Sequence, residues 1–385
     1  MKYSKNPLNG DDISILAYGC MRFPRDEALT EKLILRAIEA GVNYFDTAYI
    51  YPGSEATLGR ILEKNGLRDS VYIATKLPPY FVKTREDIEK IFQKQLTRLK
   101  TQRIDYYLVH MLLNSKEWER LKDAGIVDWL ESKKRIGAIG NFGFSYHGGV
   151  EEFKRIIDAH PWDFTMIQYN YFDEHKQAGR EGLSYAAGKG MPVMVMEPLR
   201  GGKLATRLPA DATKLFEALS PRRSPAEWAL RWVWNQPEVT TLLSGMNSMQ
   251  ALEENIAAAT DASPAELSPH QLKAFAQAKA LLASQDSIAC TGCNYCMPCP
   301  AGVDIPLCFS IYNDAAMDGG LMRKFNYIVR ANGHNASLCV KCGACEKKCP
   351  QKLKIVDELE RTKKMLEGPL YKPARFLLKK IMKLK

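Results

Sequence analysis

Residues 71–110, VYIATKLPPYFVKTREDIEKIFQKQLTRLKTQRIDYYLVH, decide the fold. The stretch opens on a run of β-formers, Val71 to Lys76, and closes on another, Ile104 to His110; between them Arg85 to Leu99 carries apolar residues at helical spacing. Strand, helix and strand in that order make a parallel pair. The alternation recurs outward in both directions. Asn43 to Ala48, Ile136 to Gly140, Phe164 to Gln168, Pro192 to Met196 and Thr240 to Ser244 read as strands, and Ser224 to Asn235 as a helix with Ser224 as N-cap and Pro225 in its first turn. Seven such strands plus an unresolved eighth, over residues 1–285, predict a closed (β/α)8 TIM barrel. A doubly wound open sheet is the alternative, but no G-x-G-x-x-G follows any early strand.

The polar residues fall where a barrel performs chemistry. Asp46, Lys76 and His110 each stand at the C-terminal end of a β-forming run, the end at which barrel enzymes build their sites. Apolar neighbours such as Val71, Ile73, Leu108 and Val109 make these groups costly unless they pair with one another or with a ligand.

Eight of the chain's ten cysteines follow, as Cys290-x2-Cys293-x2-Cys296-x2-Cys299-Pro300 and Cys339-x2-Cys342-x2-Cys345-x3-Cys349-Pro350. Thiolates one turn apart reach neighbouring irons of one cubane, and each Cys-Pro ends its run. Structural zinc and disulfides are the competing readings. Zinc prefers two separated pairs, and the opening MKYSKNPLNG lacks a secretory signal. The second run resembles the bacterial ferredoxin pattern in full, whereas the first has two residues, Met297 and Pro298, where that pattern has three. In two-cluster ferredoxins the Cys-Pro cysteine serves the other cluster. The resemblance therefore implies two [4Fe-4S] clusters, one on Cys290, Cys293, Cys296 and Cys349 and the other on Cys339, Cys342, Cys345 and Cys299. Cys20 and Cys308 read as packed thiols.

Leu307 to Tyr312 and Leu321 to Val329 read as helix, as does the alanine-rich stretch Glu266 to Ser284. They predict a small, mainly helical ferredoxin-like domain over residues 286–385. Reduced thiols in such a domain predict a cytoplasmic protein. The net charge is +10, and from Asp286 onward 17 Lys+Arg face 9 Asp+Glu, so most of the excess lies with the cysteines. Two bound clusters would return about four negative charges, and nucleic acid is not needed to explain the balance. No apolar run approaches the ~20 residues of a membrane span. The tail from Arg375 to Lys385 is a short basic amphipathic segment, readable as a contact for an acidic partner or a membrane surface or as a frayed helix end.

Asp46-Thr-Ala-Tyr-Ile-Tyr51, then Gly53-Ser54-Glu55, Leu58-Gly59, Lys76 and Asp105-Tyr-Tyr-Leu-Val-His110 resemble, in that order, the aldo/keto reductase family across residues 12–260. The resemblance implies a (β/α)8 barrel that binds NADP or NAD without a glycine fingerprint and reduces a small-molecule aldehyde or ketone. It also implies a catalytic set of Asp46, Tyr51, Lys76 and His110. In this reading Tyr51 is the acid, the Lys76 ammonium lowers a phenol pKa that is ordinarily ~10, Asp46 orients Lys76, and His110 bonds the substrate oxygen. Tyr49 is two residues short of the family spacing.

Cofactor contacts implied by the same resemblance are Ser145 and Gln168 on the carboxamide, Leu199 with Gly201 and Gly202 around the pyrophosphate, and Glu254 and Asn255 at the adenine. Met196 stands where many relatives stack a tyrosine. Ser244-Gly245-Met246, where relatives specific for NADP place a lysine, has none, which leaves NAD and NADP both open. The combination resembles the subgroup of this family with a C-terminal 4Fe-4S domain. Hydride and single electrons do not exchange directly and a flavin normally mediates, yet no flavin motif is found, so a ferredoxin-like or flavoprotein electron carrier is the implied partner. A non-enzymatic nucleotide-binding redox sensor and a pure electron-transfer subunit are the competing functions.

Overall fold

A computed structural model describes every residue except 284–286, 289, 291, 293–295, 319–320, 350–351 and 383–385. Cys293, one of the expected cluster ligands, lies outside the described residues. The chain forms two compact units, Met1–Gln277 and Ala278–Lys385.

In the first unit β1 (Tyr3–Lys5) and β2 (Asp12–Ser14) pair as an antiparallel hairpin. The strands β3 (Leu16–Gly19), β4 (Tyr44–Asp46), β5 (Tyr72–Leu77), β6 (Ile104–Leu112), β7 (Ile139–Tyr146), β8 (Phe164–Gln168), β9 (Val193–Met196) and β10 (Val239–Ser244) follow as parallel neighbours, and β10 pairs back onto β3 to close the barrel. The eighth strand that the sequence leaves unassigned is β3. It is only four residues long and runs straight into the turn Cys20–Arg22, too short to show a periodicity.

Side-chain alternation fills the interior. Ala17, Tyr44, Ala74, Leu108, Phe164, Met166 and Met194 form one buried cluster inside the barrel. Gly143 of β7 leaves room for its neighbour, since a Cβ there would lie 2.8 Å from the Phe164 ring and 2.3 Å from the Phe164 carbonyl oxygen. Outside, the helix Arg85–Leu99 occupies the predicted residues and is capped by Thr84, which exchanges hydrogen bonds with Asp87. Ser224 caps the helix Pro225–Trp234 in the predicted way.

Two local readings change. The expected strand Ile136–Gly140 begins only at Ile139, because the basic helix Ile126–Arg135 is closed by Gly137 in the left-handed region (φ 71°). Gly137 and Ala138 donate back to the Lys134 and Lys133 carbonyls, and Ile136 is left 70% exposed on the turn. The alanine-rich helix expected from Glu266 begins only at Pro269 and runs to Ala283.

The second unit is helical among its described residues. The helices Ile305–Asp318, Leu321–Arg330, Ile355–Leu366 and Tyr371–Met382 surround a core that includes Val303, Ile305, Cys308, Phe309, Tyr327 and Leu359. The basic tail is thus helical to Met382 and packs through Tyr371, Ala374 and Leu378, while Phe376 and Leu377 stay exposed. No helix among the described residues is long and apolar enough to cross a membrane.

Candidate active site and cluster site

Period-two alternation also explains how four polar residues meet. Tyr44, Ala74 and Leu108 point into the barrel, so the residues two further along, Asp46, Lys76 and His110, point the same way one layer higher, at the C-terminal rim. All three are at most 5% exposed. Lys76 Nζ donates to both Asp46 carboxylate oxygens (2.7 and 2.6 Å) and to the Thr47 carbonyl (2.6 Å). Tyr51 arrives from the loop after β4. Its ring centre lies 5.3 Å from Lys76 Nζ, and it meets the His110 ring edge-on at 5.9 Å. Tyr49 turns instead onto the Arg98 guanidinium at 4.6 Å.

A second buried set, not read from the sequence, holds that loop. Glu55 accepts from Thr75 Oγ1 (2.6 Å), Gln95 Nε2 (2.9 Å) and Arg98 Nη1 (2.9 Å), and Arg98 also donates to the Tyr49 carbonyl (3.1 Å). The partners come from two separate elements, β5 and the helix Arg85–Leu99. Only the Gly53-Ser54-Glu55 motif marks their meeting point in the sequence.

Electrostatics correct one expectation. The Tyr51 phenol is pushed up, not down: burial dominates, the Asp46, Glu197 and Cys20 charges add to it, and Arg22 pulls the other way. Burial is the main reason, and the neighbouring Lys76 ammonium has its three donors engaged by Asp46 and Thr47. Burial also raises the Asp46 carboxyl against the pull of Lys76. His110 is driven well below the ordinary histidine range by burial and then by Lys76, which keeps the imidazole neutral at pH 7. Its buried Nδ1 has no hydrogen-bond partner among the described residues. Cys20, expected as a packed thiol, is fully buried and lies close enough to the Asp46 charge to be raised further by it.

Of the residues expected at the cofactor, Ser145, Gln168 and Ser244 stand at or near the C-terminal ends of β7, β8 and β10, Leu199, Gly201 and Gly202 follow β9, Gly245 and Met246 follow β10, and Glu254 and Asn255 lie in the helix Met249–Asp261. Ser145 Oγ accepts the backbone N–H of Met111, which follows His110 in a left-handed conformation (2.8 Å, φ 54°). Gln168 is held at both ends of its amide, donating to Asp173 (3.0 Å) and accepting from Gln177 (2.6 Å). Asp173 in turn accepts from Arg200 (2.9 Å), a fully buried guanidinium that also stacks on Phe172 at 4.9 Å. Arg200 lies inside the Leu199–Gly202 loop, where Gly201 and Gly202 both take left-handed backbone (φ 70° and 92°) and open a short helix at Lys203. Asp173 and Arg200 are another pair that local pattern does not announce. Across the barrel Asn255 donates to Ser244 Oγ (2.8 Å), while Glu254 is exposed and accepts from Gln250. The Met246 carbonyl accepts from Tyr18 (2.5 Å), and Gly245 runs beside Gly19.

In the second unit Cys299, Cys339, Cys342 and Cys345 line one pocket together with Ile305, Val340, Val356 and Leu359. Lys341, left-handed at φ 58°, turns its backbone N–H toward Cys339 Sγ (3.4 Å), and Gly343 follows at φ 70°. Amide donors aimed at ligand sulfurs are what an iron–sulfur site uses to tune its cluster. Among the described residues no His, Cys, Asp or Glu side chains converge as three on a single ion. Four cysteines lining one otherwise apolar pocket are a donor set of the kind that a [4Fe-4S] cluster takes. Cys290, Cys296 and Cys349 pack, partly buried, against the same core. Cys308 is buried beside Tyr327 and, as expected, lies away from that pocket's lining.

Comparison with known proteins agrees with this geometry. The Aldo/keto reductase family matches residues 16–278, and a 4Fe-4S dicluster domain matches residues 289–354. Among similar proteins, the oxidoreductase YqkF of Bacillus subtilis is 26% identical over 280 residues, covering 64% of this chain and 88% of its own. The 6-dehydroglucose reductase of Novosphingobium aromaticivorans is 28% identical over 232 residues, covering 55% of this chain and 73% of its own. The holo structure of aldo-keto reductase AKR11C1 from Bacillus halodurans superposes with a TM-score of 0.61 at 25% identity, covering 72% of this chain and 96% of that one. A closed parallel barrel, a rim that gathers Asp46, Tyr51, Lys76 and His110, and a family match over most of the length lead to one statement: the chain belongs to the aldo/keto reductase family and carries a C-terminal 4Fe-4S dicluster domain.

Proposed function

We propose that the protein reduces an aldehyde or ketone at the barrel rim with NADH or NADPH, and that its C-terminal cysteines hold two [4Fe-4S] clusters which connect it to one-electron chemistry. The observation that carries the reading is the meeting of Tyr51, Lys76, His110 and Asp46 in one buried rim site. The nicotinamide, when bound, supplies the hydride. Tyr51 stays protonated through neutral pH because burial holds its phenol up, so it has a proton to give to the carbonyl oxygen. The neutral His110 gives a hydrogen bond to the same oxygen as negative charge grows there. Lys76, locked to Asp46 and Thr47, fixes the floor against which Tyr51 rests. In this reading Ser145 and Gln168 would hold the carboxamide, Leu199, Gly201 and Gly202 the pyrophosphate, and Ser244, Gly245, Met246, Glu254 and Asn255 the adenosine end.

For the clusters, Cys299, Cys339, Cys342 and Cys345 are proposed as one ligand set on the strength of their shared pocket. Cys290, Cys293, Cys296 and Cys349 are proposed as the other. The test is anaerobic. Reconstituted protein is titrated with NADH and NADPH by fluorescence, then assayed against a panel of carbonyl compounds, with iron and sulfide measured on the same sample. Binding of either nucleotide, turnover lost in Tyr51→Phe, and iron sufficient for two cubanes are expected. Failure to bind either nucleotide would end the enzyme reading.

A further inference from the structure

The pocket that Cys299, Cys339, Cys342 and Cys345 share has two unlike walls. Ile305 and Leu359 are buried behind it, with at most 1% exposure. The other wall is the loop that carries Val340 and Cys342, and it faces water: Val340 is 68% exposed, its neighbour Leu338 is 38% exposed, and Cys342 is exposed. Val340 borders the pocket beside Cys339 and Cys342 and is still largely in water, an apolar side chain more exposed than packing within its own unit requires. Around them lysines outnumber carboxylates. Lys341, Lys347, Lys348, Lys352 and Lys354 are all exposed, and between residues 338 and 354 the one acidic residue is Glu346, whose carboxylate accepts the backbone N–H of Val356 at 2.9 Å. Lys341 reaches toward Glu360 at 3.6 Å and remains 64% exposed.

We propose that the loop Leu338–Lys348, with its exposed Val340 and Cys342 inside a lysine rim, is the docking surface for an acidic one-electron carrier protein. This rests on the assignment of Cys299, Cys339, Cys342 and Cys345 as one ligand set. A small apolar centre within a rim of a single charge is the anatomy of a short-lived protein encounter, where charge steers approach and fixes which side is presented. Carriers of this kind bind through small interfaces, so a patch of a few residues is sufficient. A nucleic acid or a lipid surface would meet the lysines but would give no purpose to an exposed thiol, Cys342, beside the exposed Val340 at the pocket. Of the four pocket thiols Cys342 is the exposed one, and an exposed thiol is where a second redox centre comes closest.

The test uses the full chain, reconstituted anaerobically, with a strongly acidic two-cluster ferredoxin as the probe and calorimetry or NMR titration as the readout. Wild-type protein is expected to bind it with an affinity that falls as salt rises. Lys341→Glu/Lys347→Glu is expected to weaken binding about tenfold at low salt and to flatten the salt dependence, without loss of iron. The matched reversal Lys364→Glu/Lys372→Glu, on exposed lysines outside the loop, is expected to leave binding as it was. Iron and sulfide are assayed on every sample. Wild-type protein that takes up no iron sinks the ligand assignment and this surface with it. Iron-loaded wild type that ignores the ferredoxin, loop variants that bind like wild type, or binding that is lost with Lys364→Glu/Lys372→Glu each overturn the surface alone. Tighter binding of single-stranded DNA or anionic vesicles than of the ferredoxin overturns the choice of a protein partner.

Discussion

In the barrel, buried ionisable groups come with their partners built in. Lys76 lies on Asp46, Arg98 on Glu55, Arg200 on Asp173, and Arg231 on Glu227 and Glu266. In the C-terminal unit the corresponding polar positions are thiols around a pocket, and no described cysteine is in a disulfide. One region ties its buried charges to one another; the other gathers four thiols around one pocket. The difference bears on where stability comes from. Eight strands hydrogen-bonded into a closed cylinder need no ligand to stand, whereas on the proposed reading a unit of about a hundred residues whose core borders on four shared thiols would draw folding free energy from the cluster those thiols bind.

The most severe test of that contrast is removal of iron with a chelator under reducing conditions. Calorimetry is expected to show the C-terminal transition disappear while the barrel transition stays in place, and two unchanged transitions would erase the distinction. On the barrel side, Tyr51→Phe is expected to cut kcat for carbonyl reduction by about 10²–10⁴-fold with iron content and barrel stability untouched. Lys76→Met strands the Asp46 carboxylate in a buried site and is expected to cost the barrel about 3–5 kcal/mol, read by denaturant unfolding, again with no loss of iron.

A smaller effect follows from pH. His110 lies well below the ordinary histidine range, and His160, packed among Trp118, Phe142 and Trp162, is pushed down to about 4. Below pH ~6.5 the unfolded chain takes up protons that the folded barrel refuses, so stability is complete above that value and falls as pH drops from about 6.5 toward 4. Each such histidine contributes at most ~1.4 kcal/mol per pH unit, and His160→Phe is expected to flatten the barrel's urea midpoint against pH. The smallest change is Ile136→Lys on its exposed turn, expected to shift barrel stability by less than ~0.5 kcal/mol. A larger loss would mean that Ile136 is covered by something.

Much of the barrel was legible because its strands are buried on both faces and end in polar residues that apolar runs do not otherwise tolerate. Asp46, Lys76 and His110 could be named for that reason, and alternation then explains why they share a rim. What escaped depends on partners distant in the chain. Arg98, Gln95 and Thr75 converge on Glu55 from two elements, and Asp173 finds Arg200 across 27 residues, so no local spacing marks either set. The fate of Lys76's three protons, and the burial that sets the direction of the Tyr51 shift, are likewise matters of geometry alone. The misplaced start of β7 has a local cause, since a β-branched residue before a glycine reads as strand until the helix-closing turn at Gly137 is seen. For the cysteines, the resemblance to two-cluster ferredoxins implied the two ligand sets, and Cys299, Cys339, Cys342 and Cys345 line one pocket.

Ile13 of the β2 strand packs among the barrel's interior side chains, and Asn6, fully buried between β1 and β2, donates to the Tyr106 hydroxyl at 3.2 Å while Tyr106 donates to Asp11 at 2.6 Å. The opening hairpin is therefore a stopper seated in the bottom of the cylinder. A truncation beginning after Gly10 would uncork an aromatic lining to water and favour aggregation during expression, so anyone choosing boundaries for recombinant production should count these first residues as part of the catalytic module.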